Sequence, residues 1–193
     1  MTVNCISAFP SPIISFSVPE YSLIRDETID RIYELRETTE SVKLSNAGGW
    51  QSPKQPPSPK LLFKSVDHIM SQMLTEELQY SIGSVWYNVN TPGSFNHKHT
   101  HPGCDLAAVF YVKVPEGDCG KIEIENPSYF NQFRLLDAMN PKLKEDMITF
   151  TSMWFPPVEG NGLIFPSNLI HRVSENNTQE DRISISWNIH INY

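Results

Sequence analysis

The stretch Arg182-Ile183-Ser184-Ile185-Ser186-Trp187-Asn188-Ile189-His190-Ile191 alternates polar and apolar residues without a break. Successive side chains of a β-strand point to opposite faces, so this segment reads as one strand with a polar face and an apolar face. A sandwich strand ordinarily turns its polar face to water. Here that face carries Arg, two Ser, Asn and His, and none of the Lys and Glu common on solvated faces. That set suits the lining of a polar cavity. The apolar face, Ile183 through Ile191, is expected to pack against N-terminal helices.

Outward from this strand, the same period of two runs back to Ile82. It predicts strands at 82–90, 95–101, 106–114, 121–125, 149–155, 162–166, 169–174 and 181–191. The turns between them are explicit, as in Thr91-Pro92-Gly93, His101-Pro102-Gly103, Pro115-Glu116-Gly117 and Glu159-Gly160-Asn161-Gly162. Residues 126–148 interrupt the pattern as a loop or short helix. Upstream, Asp26-Glu27-Thr28 leads into Ile29, Ile32, Tyr33 and Leu35 at helical spacing. Val66, Ile69, Met70 and Met73 place a second helix over Ser65–Gln79, its stripe read as core packing. Ser45–Pro59, with Gly48-Gly49 and four prolines, reads as an ordered loop or a linker. The order of elements predicts a mainly β fold with flanking helices, a double-stranded β-helix of the jelly-roll, cupin-like kind. One domain is expected over 1–193, with helices and loops over 1–80 packed on a jelly-roll core over 81–193.

Composition narrows the classes of function. With 39% hydrophobic and 19% charged residues the chain is globular in character. A net charge of -7 and no basic run argue against a nucleic-acid surface. No apolar run approaches the ~20 residues of a membrane span. Cys5, Cys104 and Cys119 form no CxxC pair, and the N-terminus shows no signal-peptide pattern. Reduced thiols in a cytoplasmic protein are therefore expected.

The chemistry concentrates in His97-Lys98-His99-Thr100-His101. At spacing two on one strand, all three imidazoles are expected on the same face, and two at i and i+2 can share one metal ion. A surface cluster of histidines is the plainer reading of this segment alone. His171 follows 70 positions after His101, and Arg182 then Ser184 follow eleven positions after that. An H-x-H pair, a distal His and a terminal R-x-S are together far more specific than any one part. Arginine offers a rigid fork of donors suited to a carboxylate, and Ser184 adds a hydroxyl on the same face. Asp105 is a candidate carboxylate, read as an ordinary turn residue. His68 is read as a structural or exposed helix residue, and His190, at the end of its strand, is given no role.

On these residues the sequence resembles the 2-oxoglutarate/Fe(II)-dependent oxygenase family related to prolyl hydroxylase-like dioxygenases. The likeness spans Gly48-Gly49-Trp50-Gln51-Ser52, the run from Trp86 through His99-Thr100-His101-Pro102-Gly103 to Phe110-Tyr111-Val112, then Phe165-Pro166-Ser167, and finally Arg182 through Asn188. The resemblance implies a non-haem Fe(II) and 2-oxoglutarate as cofactors, with hydroxylation of an unidentified small-molecule or peptidyl substrate and release of succinate. It implies metal ligation by His99, His101 and His171, and no catalytic side chain beyond those ligands. It places Arg182, Ser184, Tyr111 and Asn188 around the co-substrate, with Arg182, Ser184 and Tyr111 on its distal carboxylate. The wider superfamily has Asp or Glu where this chain has His101, so three neutral imidazoles leave the ion's charge uncompensated by protein. A register shifted by two would make His97 and His99 the pair instead. Two other readings stay open: a cupin-like three-histidine metalloprotein whose chemistry does not use 2-oxoglutarate, and a metal-free jelly-roll binding module. The R-x-S at the end of the chain favours the oxygenase. Loops 41–60 and 126–148 are expected to choose the substrate.

Overall fold

The computed structural model describes residues 10–128, 138–146 and 150–192. Cys5, position 149 of one expected strand and part of the 126–148 segment lie outside them. Two antiparallel sheets form the barrel. The larger runs in the order β1 (Ile14–Ser17), β9 (Asn161–Pro166), β6 (Leu106–Lys113), β11 (Arg182–Asn192), β4 (Gln79–Asn90) and β3 (Trp50–Gln51). The smaller runs β2 (Asn46–Ala47), β5 (Phe95–His99), β10 (His171–Val173), β7 (Ile122–Glu125) and β8 (Ser152–Phe155). Helices α1 (Arg25–Thr38), α2 (Lys60–Met73) and α3 (Pro141–Asp146), with a short 3-10 turn at Tyr21–Leu23, complete the described elements. This is the double-stranded β-helix that the alternating strands predict.

β11 lies between β4 and β6, and its two faces do different work. Ile183, Ile185, Trp187 and Ile189 are fully buried and pack with Ile32 of α1 and with Leu62, Phe63, Val66 and Met70 of α2. The Trp187 ring meets Phe63 edge-on at 5.4 Å. The other face looks into the space between the sheets. There a second, smaller apolar cluster (Ala107, Leu163 and Phe165 against Ile122, Ile124 and Leu169) joins the two sheets. Ile185→Ala removes a fully buried side chain from the larger cluster and is expected to cost ~2–5 kcal/mol. Urea unfolding monitored by circular dichroism should show it as a lower midpoint with an unchanged slope.

Several boundaries differ from the sequence reading for physical reasons. α2 covers Lys60–Met73, not Ser65–Gln79. Its buried stripe begins at Leu62 and Phe63, directly after Pro59, which fits a helix entrance. Gln79 already belongs to β4. The 45–59 segment is not wholly irregular: β2 and β3 dock on β5 and β4, edges of opposite sheets. Between them Gly48 and Gly49 sit at φ +69 and +63, and a Cβ on Gly49 would lie 2.6 Å from the Val89 carbonyl. Two-residue pairings carry no period that a sequence could show; β1, Ile14-Ser15-Phe16-Ser17, does alternate over four residues, yet lies outside the strands that the sequence reading places. β5 ends at His99 rather than His101. The described part of 126–148 contains the short helix α3. Among the described residues no helix is long and apolar enough to cross a membrane.

Candidate active site

His99, the last residue of β5, is the direct cross-strand partner of His171, the first residue of β10. Facing partners project to the same side of a sheet, so both rings point into the barrel. His101 follows in the turn that Pro102-Gly103 completes. Its amide donates to the Ser167 carbonyl at 2.9 Å, while the Ser167 hydroxyl donates to the Cys104 carbonyl at 2.5 Å. Trp86, on the inner face of β4, stacks on the His101 ring at 5.7 Å. These contacts swing His101 back over the strand pair.

The three rings converge. Their candidate ligand atoms all lie within 4.8 Å of one another, and the Nε2 atoms of His101 and His171 are 3.2 Å apart. Two imidazole nitrogens bound side by side at ~2.1 Å from one ion stand roughly 3 Å apart, so the spacing suits a shared metal. His99 Nδ1 is 2.7 Å from the His97 carbonyl, and His171 Nδ1 is 2.9 Å from the Leu169 carbonyl. A carbonyl can only accept, so each Nδ1 carries the proton and each Nε2 keeps its lone pair for a metal.

Electrostatics favour the same state. Burial pushes all three histidines below their ordinary pKa, with His101 lowered to about 4 and His171 to about 3. The neighbouring His99 adds to the lowering at both, and the Asn188 amide beside His101 opposes it. An unfolded histidine takes its proton near pH ~6.5. Below that pH the unfolded chain binds more protons than the folded one, so stability is lost as pH falls towards the folded values. The melting temperature of the metal-free protein should therefore drop between pH 7 and pH 5. A His101→Gln/His171→Gln double variant should show a shallower drop in the same scan.

His97 takes no part. β5 carries a bulge: Asn96 pairs with Val173 and His99 with His171, so three steps on one strand answer two on the other. The extra residue breaks the alternation and leaves His97 exposed, its ring against Phe95. The expectation that three histidines share one strand face fails here. Asp105 is also accounted for, since its carboxylate accepts the Ile191 amide at 2.7 Å. His68 is exposed on α2 beside Gln72.

Arg182 stands at the deep end of the inner face of β11, 2% exposed. Its Nη1 donates to the Cys119 and Gly120 carbonyls at 3.0 and 3.1 Å. Its Nε is buried without a hydrogen-bond partner, and among the described residues no carboxylate pairs with it. Burial accordingly pushes the guanidinium below its usual range. Ser184, two residues on, is buried opposite Tyr111 of β6. Burial raises the Tyr111 phenol to about 12 despite the nearby Arg182, so it is neutral and able to donate a hydrogen bond. Asn188 does not join this group; it lies at the histidine end, with its Oδ1 buried and unpartnered. Sequence reasoning gave Trp86 no role in the site, although it shares the inward face of β4 with Asn88 and Asn90. It also overlooked the Cys119-Gly120 turn, whose contribution is made by backbone carbonyls.

Fold and site define a double-stranded β-helix with a metal-competent imidazole cluster and a buried, unneutralised guanidinium on one polar wall. A profile of the family described as "Putative 2OG-Fe(II) oxygenase" matches residues 84–188, more than half of the chain. The chain belongs to that family, and it is a 2-oxoglutarate-dependent Fe(II) dioxygenase. Among solved structures it is similar to a prolyl-4-hydroxylase from Pseudomonas putida (13% identity, 93% of each chain covered, TM-score 0.62). It is also similar to a Trichoplax adhaerens prolyl hydroxylase in complex with a hypoxia inducible factor peptide fragment (13% identity, 91% of this chain and 82% of that one, TM-score 0.64). HygX from Streptomyces hygroscopicus, solved with nickel and 2-oxoglutarate, is a further likeness (12% identity, 93% and 83% covered, TM-score 0.61). At such identities the likeness is one of fold. No curated protein sequence matches the chain.

Proposed function

We propose that His99, His101 and His171 hold the Fe(II), and that Arg182, Ser184 and Tyr111 hold the distal carboxylate of 2-oxoglutarate. The overall reaction takes O2, 2-oxoglutarate and a substrate C–H bond to the hydroxylated substrate, succinate and CO2. The substrate is a small molecule or a peptidyl side chain. When bound, the iron supplies O2 activation for this oxidation. The protein's part is to bind and orient. Burial keeps three imidazoles neutral, His99 and His171 present Nε2 lone pairs beside the His101 ring, Trp86 covers one face of His101, and Arg182 fixes the far end of the co-substrate.

The observation that carries this reading is the buried Arg182 charge, which meets no carboxylate among the described residues. An isolated buried charge is costly unless a partner meets it, and a dicarboxylate gripping both Arg182 and the metal supplies that partner. A three-histidine centre that does not use 2-oxoglutarate would leave the guanidinium without a purpose. Asn188 lies beside His101 at the metal end, away from the carboxylate end. The half-exposed Cys104 and buried Cys119 are free thiols, in keeping with a cytoplasmic location. The test is an anaerobic titration with Fe(II) and then 2-oxoglutarate. A weak visible metal-to-ligand charge-transfer band should grow to one equivalent; its absence with both bound components present would defeat the proposal.

A further inference from the structure

The turn between β6 and β7 is built around the Arg182 side chain. Gly117 and Gly120 take φ +97 and +88, and the Cys119 amide donates to the Gly117 carbonyl. The neighbouring β10–β11 turn clasps it: Ser174 exchanges bonds with Lys121, and the Asn177 amide donates to the Asp118 carbonyl. This curled backbone aims two successive carbonyls, of Cys119 and Gly120, at the same Nη1 atom. A Cβ on Gly120 would collide with the Ser174 carbonyl and stand 2.9 Å from Nη1. Only glycine allows the approach.

A guanidinium has five N–H groups in a fixed fork: one on Nε and two on each Nη. Nη1 already serves two carbonyl acceptors of the turn. The end-on edge, which uses one hydrogen from each Nη, is thereby closed. What remains is the edge formed by Nε–H and Nη2–H, and Nε is buried with no partner. We infer that the Cys119–Gly120 carbonyl pair is a positioning device that directs the distal carboxylate onto the Nε–Nη2 edge of Arg182, with Gly120 as the residue that makes this possible. The inference rests on the proposed role of Arg182 as the carboxylate anchor. It also explains why the carbonyls help where they stand: their dipoles partly offset the burial of the charge without neutralising it, leaving the full charge for the ligand.

The experiment uses protein loaded with diamagnetic Zn(II) and follows the 15N-resolved Nε–H signal of Arg182, assigned by its loss in Arg182→Lys. Adding 2-oxoglutarate should move this signal downfield, as a new hydrogen bond to Nε requires. If calorimetry shows 2-oxoglutarate bound while the signal stays in place, the edge assignment is wrong and the anchor role stands. If 2-oxoglutarate does not bind, the proposed function falls and this inference with it. Gly120→Ala supplies the second arm. Misaimed by the intruding methyl, Arg182 should lose 2-oxoglutarate affinity by roughly tenfold or more. Affinity for Zn(II), and for oxalate on the Zn(II) form, should stay within about twofold, because oxalate has the chelating half without the distal carboxylate. An equal loss for oxalate would make Gly120 a merely structural glycine and overturn the assignment.

Discussion

Arg182→Ala is expected to weaken 2-oxoglutarate binding by ~2–5 kcal/mol, roughly thirtyfold to a few thousandfold, with little change in metal affinity. The size follows from where the charge sits. Arg182 is 2% exposed and its fork meets no carboxylate of the protein among the described residues. A bidentate, charge-assisted contact in such surroundings is far stronger than one in water. Its removal also leaves a carboxylate buried against Tyr111 and Ser184, two neutral donors that cannot replace the lost charge. Metal affinity should hold because the three imidazoles are fixed by other contacts: the β5–β10 pairing, the Ser167 carbonyl and the Trp86 stack. Calorimetry of Fe(II) and then 2-oxoglutarate, under anaerobic conditions, separates the two steps. Saturating 2-oxoglutarate should raise the melting temperature of the metal-loaded wild type and leave that of the variant nearly still. Unchanged 2-oxoglutarate affinity would sink the assignment.

The sequence showed the halves of this site unequally. The alternation in 182–191 placed Arg182, Ser184 and Asn188 on one face because β11 is itself unbulged and buried on its other side. The same logic failed at His97, where one extra residue in β5 inverts the facing and no residue type announces it. His101 came to the cluster by a different route from the one period two suggests. It lies past the end of β5, and hydrogen bonds to the 166–169 turn return it to the strand pair. Tyr111 was matched through family resemblance, and its pairing with Ser184 passes through an irregular register in β6 that alternation alone would misplace. The aim of Arg182 was illegible for a more basic reason. Backbone carbonyls do the aiming, and their only trace in the sequence is a glycine in a turn.

The largest effect on the metal should come from His101→Ala, and its contrast with two companions decides the ligand set. Loss of an outer-shell partner typically costs about 10–100-fold in metal affinity; losing one of three inner imidazoles should exceed that and abolish tight Fe(II) binding. His97→Ala should change little, since that ring is exposed and only its backbone carbonyl touches His99. His101→Asp should keep binding. It removes the Trp86 stack but restores a two-histidine, one-carboxylate set, and the new negative charge compensates the ion as imidazole cannot. Aspartate is shorter than histidine, so the 100–105 turn must move inwards. Its anchors, the Ser167 carbonyl and the Cys104 contact, are to backbone and survive the substitution. Anaerobic calorimetry with Fe(II) on the three variants reads all of this directly. A damaging His97→Ala beside a silent His101→Ala would move the ligand pair back by two residues, to His97 and His99.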